Sequence, residues 1–330
     1  MNGTRRFVSL TLAALASCGG EHGGPPGWLS KETIALDAHV RVERVEYLSD
    51  GLRVVGQLCR PNRAGAFPVA VYNHGGWSGL GEEWGALDGG CADLARLGWV
   101  AAMSSYRGED GSDGSVEICS GEASDVLAML EIVRRDPFAT DRAVMLGVSH
   151  GGCVAVRALQ NGAPVSRAVS LNGPTDLAGV YENALARAPA PFFSDLLAAF
   201  DLAFGGSPIV APDVYRARST IEDAASLAAH PAAVLLQHGE ADEVVPAEQS
   251  CLLAEAAGGF QAFHVKVNGQ VTTHAPPACA GLDLEWSAGP LPLGDWPGSR
   301  YLVIYDGEPH AGGANQPLVL GHLVDFLGVL

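Results

Sequence analysis

One serine lies between glycines in Gly147-Val148-Ser149-His150-Gly151, where the apolar run "AVML" gives way to a helical pattern. A turn this tight between strand and helix needs flanking residues without side chains, and it thrusts the serine hydroxyl outward as a nucleophile. Composition alone supplies roughly a third of such a match in a chain this rich in glycine, so the surrounding elements must decide. A serine hydroxyl attacks an acyl carbon only when a base accepts its proton and a carboxylate fixes that base. The oxygen that turns negative then needs backbone N–H groups already aimed at it. "NHGGWSG", residues 73–79, is a loop suited to that task. The amide of Gly76 or Trp77, with the amide of His150, is the expected donor pair. The His150 imidazole reads as a pocket or surface group, not as the base.

The elements that must position these residues alternate along the chain. "HVRVERVEYL" and "LRVVGQLCRP" alternate apolar and polar residues around a "SDG" turn, as a hairpin does. "FPVAVYNHGG" then runs apolar into the glycine loop. "CADLARLG" and "EASDVLAMLEIVRRD" have helical spacing, with the extended "WVAAMSSYRG" between them. "AVMLGVS", "VSRAVSLNG", "AAVLLQHG" and "YLVIYDG" are short apolar strands, and "PLVLGHLVDFLGVL" closes the chain as a helix. This rhythm predicts an α/β fold with a mostly parallel sheet covered on both faces, whose ligands sit at the carboxyl ends of the strands.

Ten histidines compete for the role of base. His310 follows a strong strand and precedes a glycine loop, and Asp242 likewise lies just past a strand in "VLLQHGEADEVVP". They complete the chain order serine, acid, histidine. Asp306, four residues before His310, is the rival acid. His264 and His274 flank an irregular segment and His322 lies on the last helix, so these three read as structural. Trp77, Tyr106, Phe192 and Phe193 are candidates for the substrate pocket, with Phe200 beside them, although helical core packing competes for the phenylalanines. Glu109, Asp110 and Asp113 in "RGEDGSDG" read as a solvated loop or as an attraction for cationic substrates.

With these residues in place the chain resembles the α/β-hydrolases, and among them the catalytic domain of the prolyl oligopeptidase family and its dienelactone-hydrolase-like relatives. "SYRGEDGSDG", "GEASDVLAML" and the segment from "GGSPIVAPDVYRARST" to "GEADEVVPAEQS" follow that family's order. The resemblance covers about residues 45–255 and returns at 301–330. It implies a Ser149–Asp242–His310 triad that needs no metal or cofactor. Two departures stand out. The chain has no room for the family's N-terminal β-propeller, and it carries an extra segment at about 267–299, containing Trp286 and Trp296, between acid and histidine. Residues 174–229 form a helical insertion of the kind that caps such pockets.

Acidic residues outnumber basic ones 37 to 20, giving a formal net charge of −17. Such a chain repels nucleic acid. Arg5 and Arg6 precede the apolar run "FVSLTLAALAS", which is too short to span a bilayer but suits a signal peptide. "LASC" resembles a bacterial lipobox, so residues 1–17 are expected to be removed and Cys18 lipidated, with an ordinary cleavage site as the alternative. Residues 18–30 then form a flexible tether and 31–330 the catalytic domain. The mature protein is expected on a membrane facing the periplasm or the cell surface. Cys59, Cys91, Cys119, Cys153, Cys251 and Cys279 allow fifteen disulfide pairings, among which spacing does not choose. Cys153 reads as a buried small apolar residue. The expected activity is a serine hydrolase acting on a small ester. A peptidase or aminoacyl-amide hydrolase acting on a short peptide is the alternative, and a non-catalytic binding protein the more distant one.

Overall fold

The computed structural model describes residues 27–267, 279, 281–287, 291, 296, 299–310 and 317–328. The first 26 residues, with Arg5, Arg6 and Cys18, lie outside them, as do His274 and most of the extra segment.

A hairpin opens the sheet. In β2 (Val40–Ser49) and β3 (Leu52–Pro61) the pairing closes at Ser49 and Leu52. The two residues between, Asp50 and Gly51, both have positive φ, which suits the twist of a two-residue hairpin turn. Before it, β1 (Ser30–Leu36) pairs antiparallel with β2, a strand not foreseen in the sequence. Residues 28–30, expected to end a tether, are already anchored. The Trp28 indole donates to Asp136, and the Leu29 amide donates to the Glu46 carbonyl.

The sheet has the order β1-β2-β3-β5-β4-β6-β7-β8-β11-β9-β10. From β5 (Val100–Ser104) onward every described pairing is parallel, through β4 (Phe67–Asn73), β6 (Ala139–Val148), β7 (Arg167–Leu171), β8 (Ala233–Gly239), β11 (Arg300–Tyr305), β9 (Gln261–Val265) and β10 (Leu284–Ser287). The central strands read as continuous apolar runs because both faces are buried. Val144, Leu235 and Val303 face one layer with α9 (Pro317–Leu327), whereas Met145, Leu236 and Ile304 face the other with α2 (Gly121–Val133), α3 (His150–Gln160) and α8 (Glu248–Ala257). α1 (Gly90–Arg96) packs on the hairpin end of the sheet. This is the α/β-hydrolase architecture. Among the described residues no helix is long and apolar enough to cross a membrane.

Between β7 and β8 the chain runs through α4 (Leu177–Arg187), α5 (Pro191–Phe204), α6 (Pro212–Arg218) and α7 (Ala224–Ala229). α4 starts where the Asp176 side chain accepts the Ala178 N–H, and α5 stops at Gly205 in the left-handed conformation. Leu177, Val180, Leu196, Phe200 and Tyr215 bury one another in a cluster that also takes in Ile118, Cys119, Cys153 and Val245.

Disulfides join Cys59 to Cys91, Cys119 to Cys153 and Cys251 to Cys279. Cys153 is therefore not the free apolar residue expected. Its bridge closes a separation of 34 residues, which in the chain-entropy picture stabilises the fold by roughly 3–4 kcal/mol.

His264, expected as a structural residue flanking an irregular segment, lies near the end of β9 and is fully buried. Trp296 packs edge-on against Tyr301 and Phe326 and donates to Asp325. It belongs to the packing under α9 rather than to a substrate wall. The side chain of Trp286 lies outside the described set.

Candidate active site

Loops after four parallel strands converge at the carboxyl edge of the sheet. At the end of β6, Ser149 has φ 55° and ψ −122°, a conformation that side-chain-bearing residues avoid. Its neighbours leave no alternative. A Cβ on Gly147 would lie 2.0 Å from the Gly151 carbonyl oxygen, and one on Gly151 would lie 2.0 Å from the Asn73 carbonyl oxygen. The two glycines are therefore there for close approach. The Ser149 amide is held by the Leu171 carbonyl at 2.8 Å.

His310, past β11, reaches Ser149 from the opposite side. Its Nε2 lies 3.0 Å from Ser149 Oγ and its Nδ1 lies 2.6 Å from Asp242 Oδ2. A carboxylate only accepts, so Nδ1 carries the proton and Nε2 is left to accept from the serine hydroxyl. Burial opposes ionisation of Asp242, but hydrogen bonds from His238 and His310 outweigh it and hold the carboxyl below its usual range. The amides of Val244 and Val245 also donate to Asp242 Oδ1.

Two supporting residues were missed in the sequence. His238, fully buried, donates from Nε2 to the Val245 carbonyl at 2.7 Å and lies 3.3 Å from Asp242 Oδ2. Its only signal was its position at a strand's carboxyl end. Asn172, with φ 52°, donates to the His310 carbonyl and accepts from the Gly239 amide, which ties the ends of β7 and β8 to the histidine loop. The rival acid Asp306 is drawn elsewhere, toward Glu240, whose carboxyl is raised by burial and by its hydrogen bond with Asp306.

A cavity of about 420 Å³ opens at Ser149. Gly76, Trp77, His150 and His310 line its reactive end, while Val180, Phe192, Leu196, Phe200, Val244 and Val245 form apolar walls. Trp77 and Phe192 thus lie where the sequence put them. Tyr106 does not line it. It is buried beneath the loop after β4, its ring stacked 4.2 Å from that of His74. Phe193 sits instead in the cap cluster, edge-on to Phe192. The His150 ring is likewise buried, with Nδ1 2.8 Å from the Gly76 carbonyl oxygen.

The acidic loop is largely solvated, as expected, with Asp110 and Asp113 exposed; Glu109 alone of its carboxylates is buried. Glu109 accepts the Gly79 N–H at 3.0 Å, Asp110 accepts that of Leu80 at 2.8 Å, and Asp113 accepts that of Arg53. Arg107 braces the loop's base against the fully buried Asp125.

Residues 50–243 match the family described as X-Pro dipeptidyl-peptidase (S15 family). The chain belongs to that S15 family. Membership puts it among the serine hydrolases. Over 219 residues it is 29% identical to the uncharacterized peptidase YtmA of Bacillus subtilis (strain 168), covering 66% of this chain and 79% of that protein. Among solved structures it is similar to the acylaminoacyl peptidase of Pyrococcus horikoshii, at 18% identity and a TM-score of 0.58. That match covers 86% of this chain but only 40% of the peptidase. Acetyl xylan esterase 1 from Thermoanaerobacterium sp. JW/SL YS485 gives 15% identity and a TM-score of 0.58, covering 92% and 88% of the two chains. At these identities the structural likeness is one of fold.

Burial pushes the Glu109 carboxyl up to about 8; the Gly79 N–H opposes this, and the charges of Glu122 and Asp110 add to it. Between its ordinary value of 4.5 and about 8 the folded S15 protein therefore holds a proton that the unfolded chain has lost. Stability must fall as pH rises through that window. Glu109→Gln removes this term, so urea unfolding of the variant should show a shallower loss of stability from about pH 5 to about pH 8 than the wild type. Equal slopes would show that Glu109 ionises normally.

Proposed function

We propose that this protein is a carboxylic-ester hydrolase in which Ser149 is the nucleophile, His310 the general base and Asp242 its orienting acid. Ser149 Oγ attacks the ester carbon as His310 Nε2 takes its proton. The amides of His150 and of Gly76 or Trp77 receive the oxyanion. His310 then protonates the departing alcohol. Water, activated by the same imidazole, releases the acid from the acyl-enzyme and restores the serine.

The observation that carries the ester reading is the character of the cavity at Ser149. Its described lining contains no carboxylate and is mostly aliphatic or aromatic. A dipeptidyl-peptidase must hold the free ammonium of its substrate, which such walls would desolvate without pairing. An uncharged acyl chain suits them. An ester also departs more readily than an amide and asks less of the site.

A second reading is favoured by the family and by the acylaminoacyl peptidase fold. An aminoacyl amide whose amine is blocked by an acyl group is uncharged, and it would meet the same walls without penalty.

The three disulfides support export, since such bridges persist outside the reducing cytosol. We propose that the chain is a lipoprotein held to a membrane through Cys18. Its partners on this reading are the lipid surface and a small ester.

Matched esters and amides sharing one acyl group test the activity by kcat/KM. The ester should be preferred; preference for the amide would overturn the ester reading in favour of the second. Ser149→Ala should lower kcat by about 10⁴-fold or more with the fold intact, and Asp242→Asn by a comparable order. Asp306→Asn should stay within about threefold of wild type, and a larger loss than that of Asp242→Asn would reassign the acid. For the anchor, Cys18→Ala should move ester hydrolysis from the membrane pellet to the soluble fraction of a bacterial host. An unmodified N-terminus at another residue, found by mass spectrometry, would refute it.

A further inference from the structure

We propose that His150 and His74 are positioning residues whose imidazoles set the direction of two consecutive peptide groups, Gly75–Gly76 and Gly76–Trp77, so that their N–H bonds face the oxyanion. The inference rests on the serine-hydrolase reading above and extends it to two imidazoles outside the triad.

The tautomer of His150 follows from its two neighbours. The Cys119 amide lies 3.3 Å from Nε2 and can only donate, so Nε2 presents its lone pair. The proton is then on Nδ1, which donates to the Gly76 carbonyl at 2.8 Å. In a trans peptide the C=O and N–H point in opposite directions. Drawing the Gly76 carbonyl toward His150 therefore aims the Trp77 N–H away from the ring, and Trp77 lines the cavity.

His74 repeats the device one peptide earlier. Its Nδ1 donates to the Gly75 carbonyl at 3.0 Å, which turns the Gly76 N–H outward. Burial lowers this imidazole to about 4, so it acts as a neutral ring. Tyr106 holds both rings. It stacks on His74 at 4.2 Å, meets His150 edge-on at 5.6 Å, and donates its hydroxyl to the His74 carbonyl.

The need for such a device comes from the loop itself. Gly76 has φ 72° and no side chain, so the backbone on either side of it is less restricted than at other residues and the Gly76–Trp77 peptide needs a tether against flipping. A flipped peptide would turn its carbonyl oxygen toward a developing negative charge. The hydrogen bond from His150 opposes that flip.

His150 is in turn anchored on its far side. Glu122 accepts the amides of Glu117, Ile118 and Ser120, which fixes the loop bearing Cys119. The Cys119–Cys153 bridge fastens the same loop to α3, one turn beyond the nucleophile. The nucleophile and the donor that aims the oxyanion peptide thus move together.

The test uses the full chain, a short-chain aryl ester, an alkyl boronic acid that forms a tetrahedral anion on the serine, and the matching alcohol, which enters the cavity without one. For His150→Ala, kcat should fall and the boronate Ki rise by about 10- to 100-fold together, short of the loss from deleting a donor outright. KM and the alcohol Ki should stay within about twofold, because ground-state binding is untouched. His150→Asn, whose amide nitrogen falls near the position of Nδ1, should recover most of the loss. His150→Gln should not. The proposal is overturned if His150→Ala keeps kcat within about threefold, if boronate and alcohol binding weaken alike, or if Asn is no better than Gln. Should the alanine variant fail to fold, the Asn and Gln pair decides alone. Failure of the underlying reading would show separately, because the wild type itself would neither hydrolyse the ester nor bind the boronate.

Discussion

The backbone of Ser149 is the constraint on which the rest of the molecule depends. A residue with a side chain at positive φ costs about 1–3 kcal/mol and persists only where its surroundings over-determine it. Here the surroundings are three strand ends. Gly151 presses on the Asn73 carbonyl at the end of β4, Gly147 ends β6 against the first turn of α3, and the Leu171 carbonyl at the end of β7 takes the Ser149 amide. Because these contacts are backbone to backbone, the strand ends are held at one level. The loops leaving them must then converge, which brings the donor loop and the histidine loop to the same hydroxyl.

Around that hydroxyl the structure sorts its charges. Asp242 is kept ionised by His238, His310 and two amides, so a charge can form on His310 beside it. Behind the donor loop the sorting is reversed. Burial holds the Glu109 carboxyl up near 8 and His74 down near 4, so both are neutral around pH 7. On the proposed reaction, an ionised carboxylate there would oppose the negative oxygen that the loop receives. Protonated Glu109 still accepts the Gly79 N–H and fastens the loop without that penalty. On that proposal the desolvation that costs stability here serves the reaction.

Much of this was legible in the sequence because it depends on local pattern. The hairpin was announced by "SDG", the parallel strands by short apolar runs, and the elbow by Gly147 and Gly151. What remained hidden depends on tertiary neighbours. Tyr106 looks like a pocket aromatic until its stacking on His74 is seen, and Glu109 looks as solvated as its neighbours Asp110 and Asp113 until it is found buried against the Gly79 amide. The His150 imidazole carried no pattern at all, since its partners Gly76 and Cys119 are 74 and 31 residues away. β1 was missed because its alternation is weak and nearly every side chain on it is exposed. Pairing of the six cysteines likewise follows from fold rather than spacing.

The cavity divides chemistry from selection. Its reactive end comes from loops welded to the sheet, whereas Val180, Phe192, Leu196 and Phe200 come from α4 and α5, which pack chiefly on their own cluster. Phe200 belongs to both, lining the cavity while stacked on Tyr215. The wall shape is therefore set largely by how the cap packs internally, while Asn183 on α4 ties the cap to the Asp242 loop by donating to the Glu243 and Val244 carbonyls. The joint between the two parts is both apolar, through Ile118, Cys119, Cys153 and Val245 in the cap cluster, and polar. Arg218 on α6 donates to the Glu117 carbonyl and to the Ala203 carbonyl, joining the cap to the loop that carries Cys119. That loop touches His150, so the cap meets the proposed donors both there and at Trp77, which packs against the cap cluster. A change of acyl preference is thus separable from turnover where it stays on the inward-packed side chains of α4 and α5, whereas one reaching Asn183, Trp77 or residues 117–119 alters both.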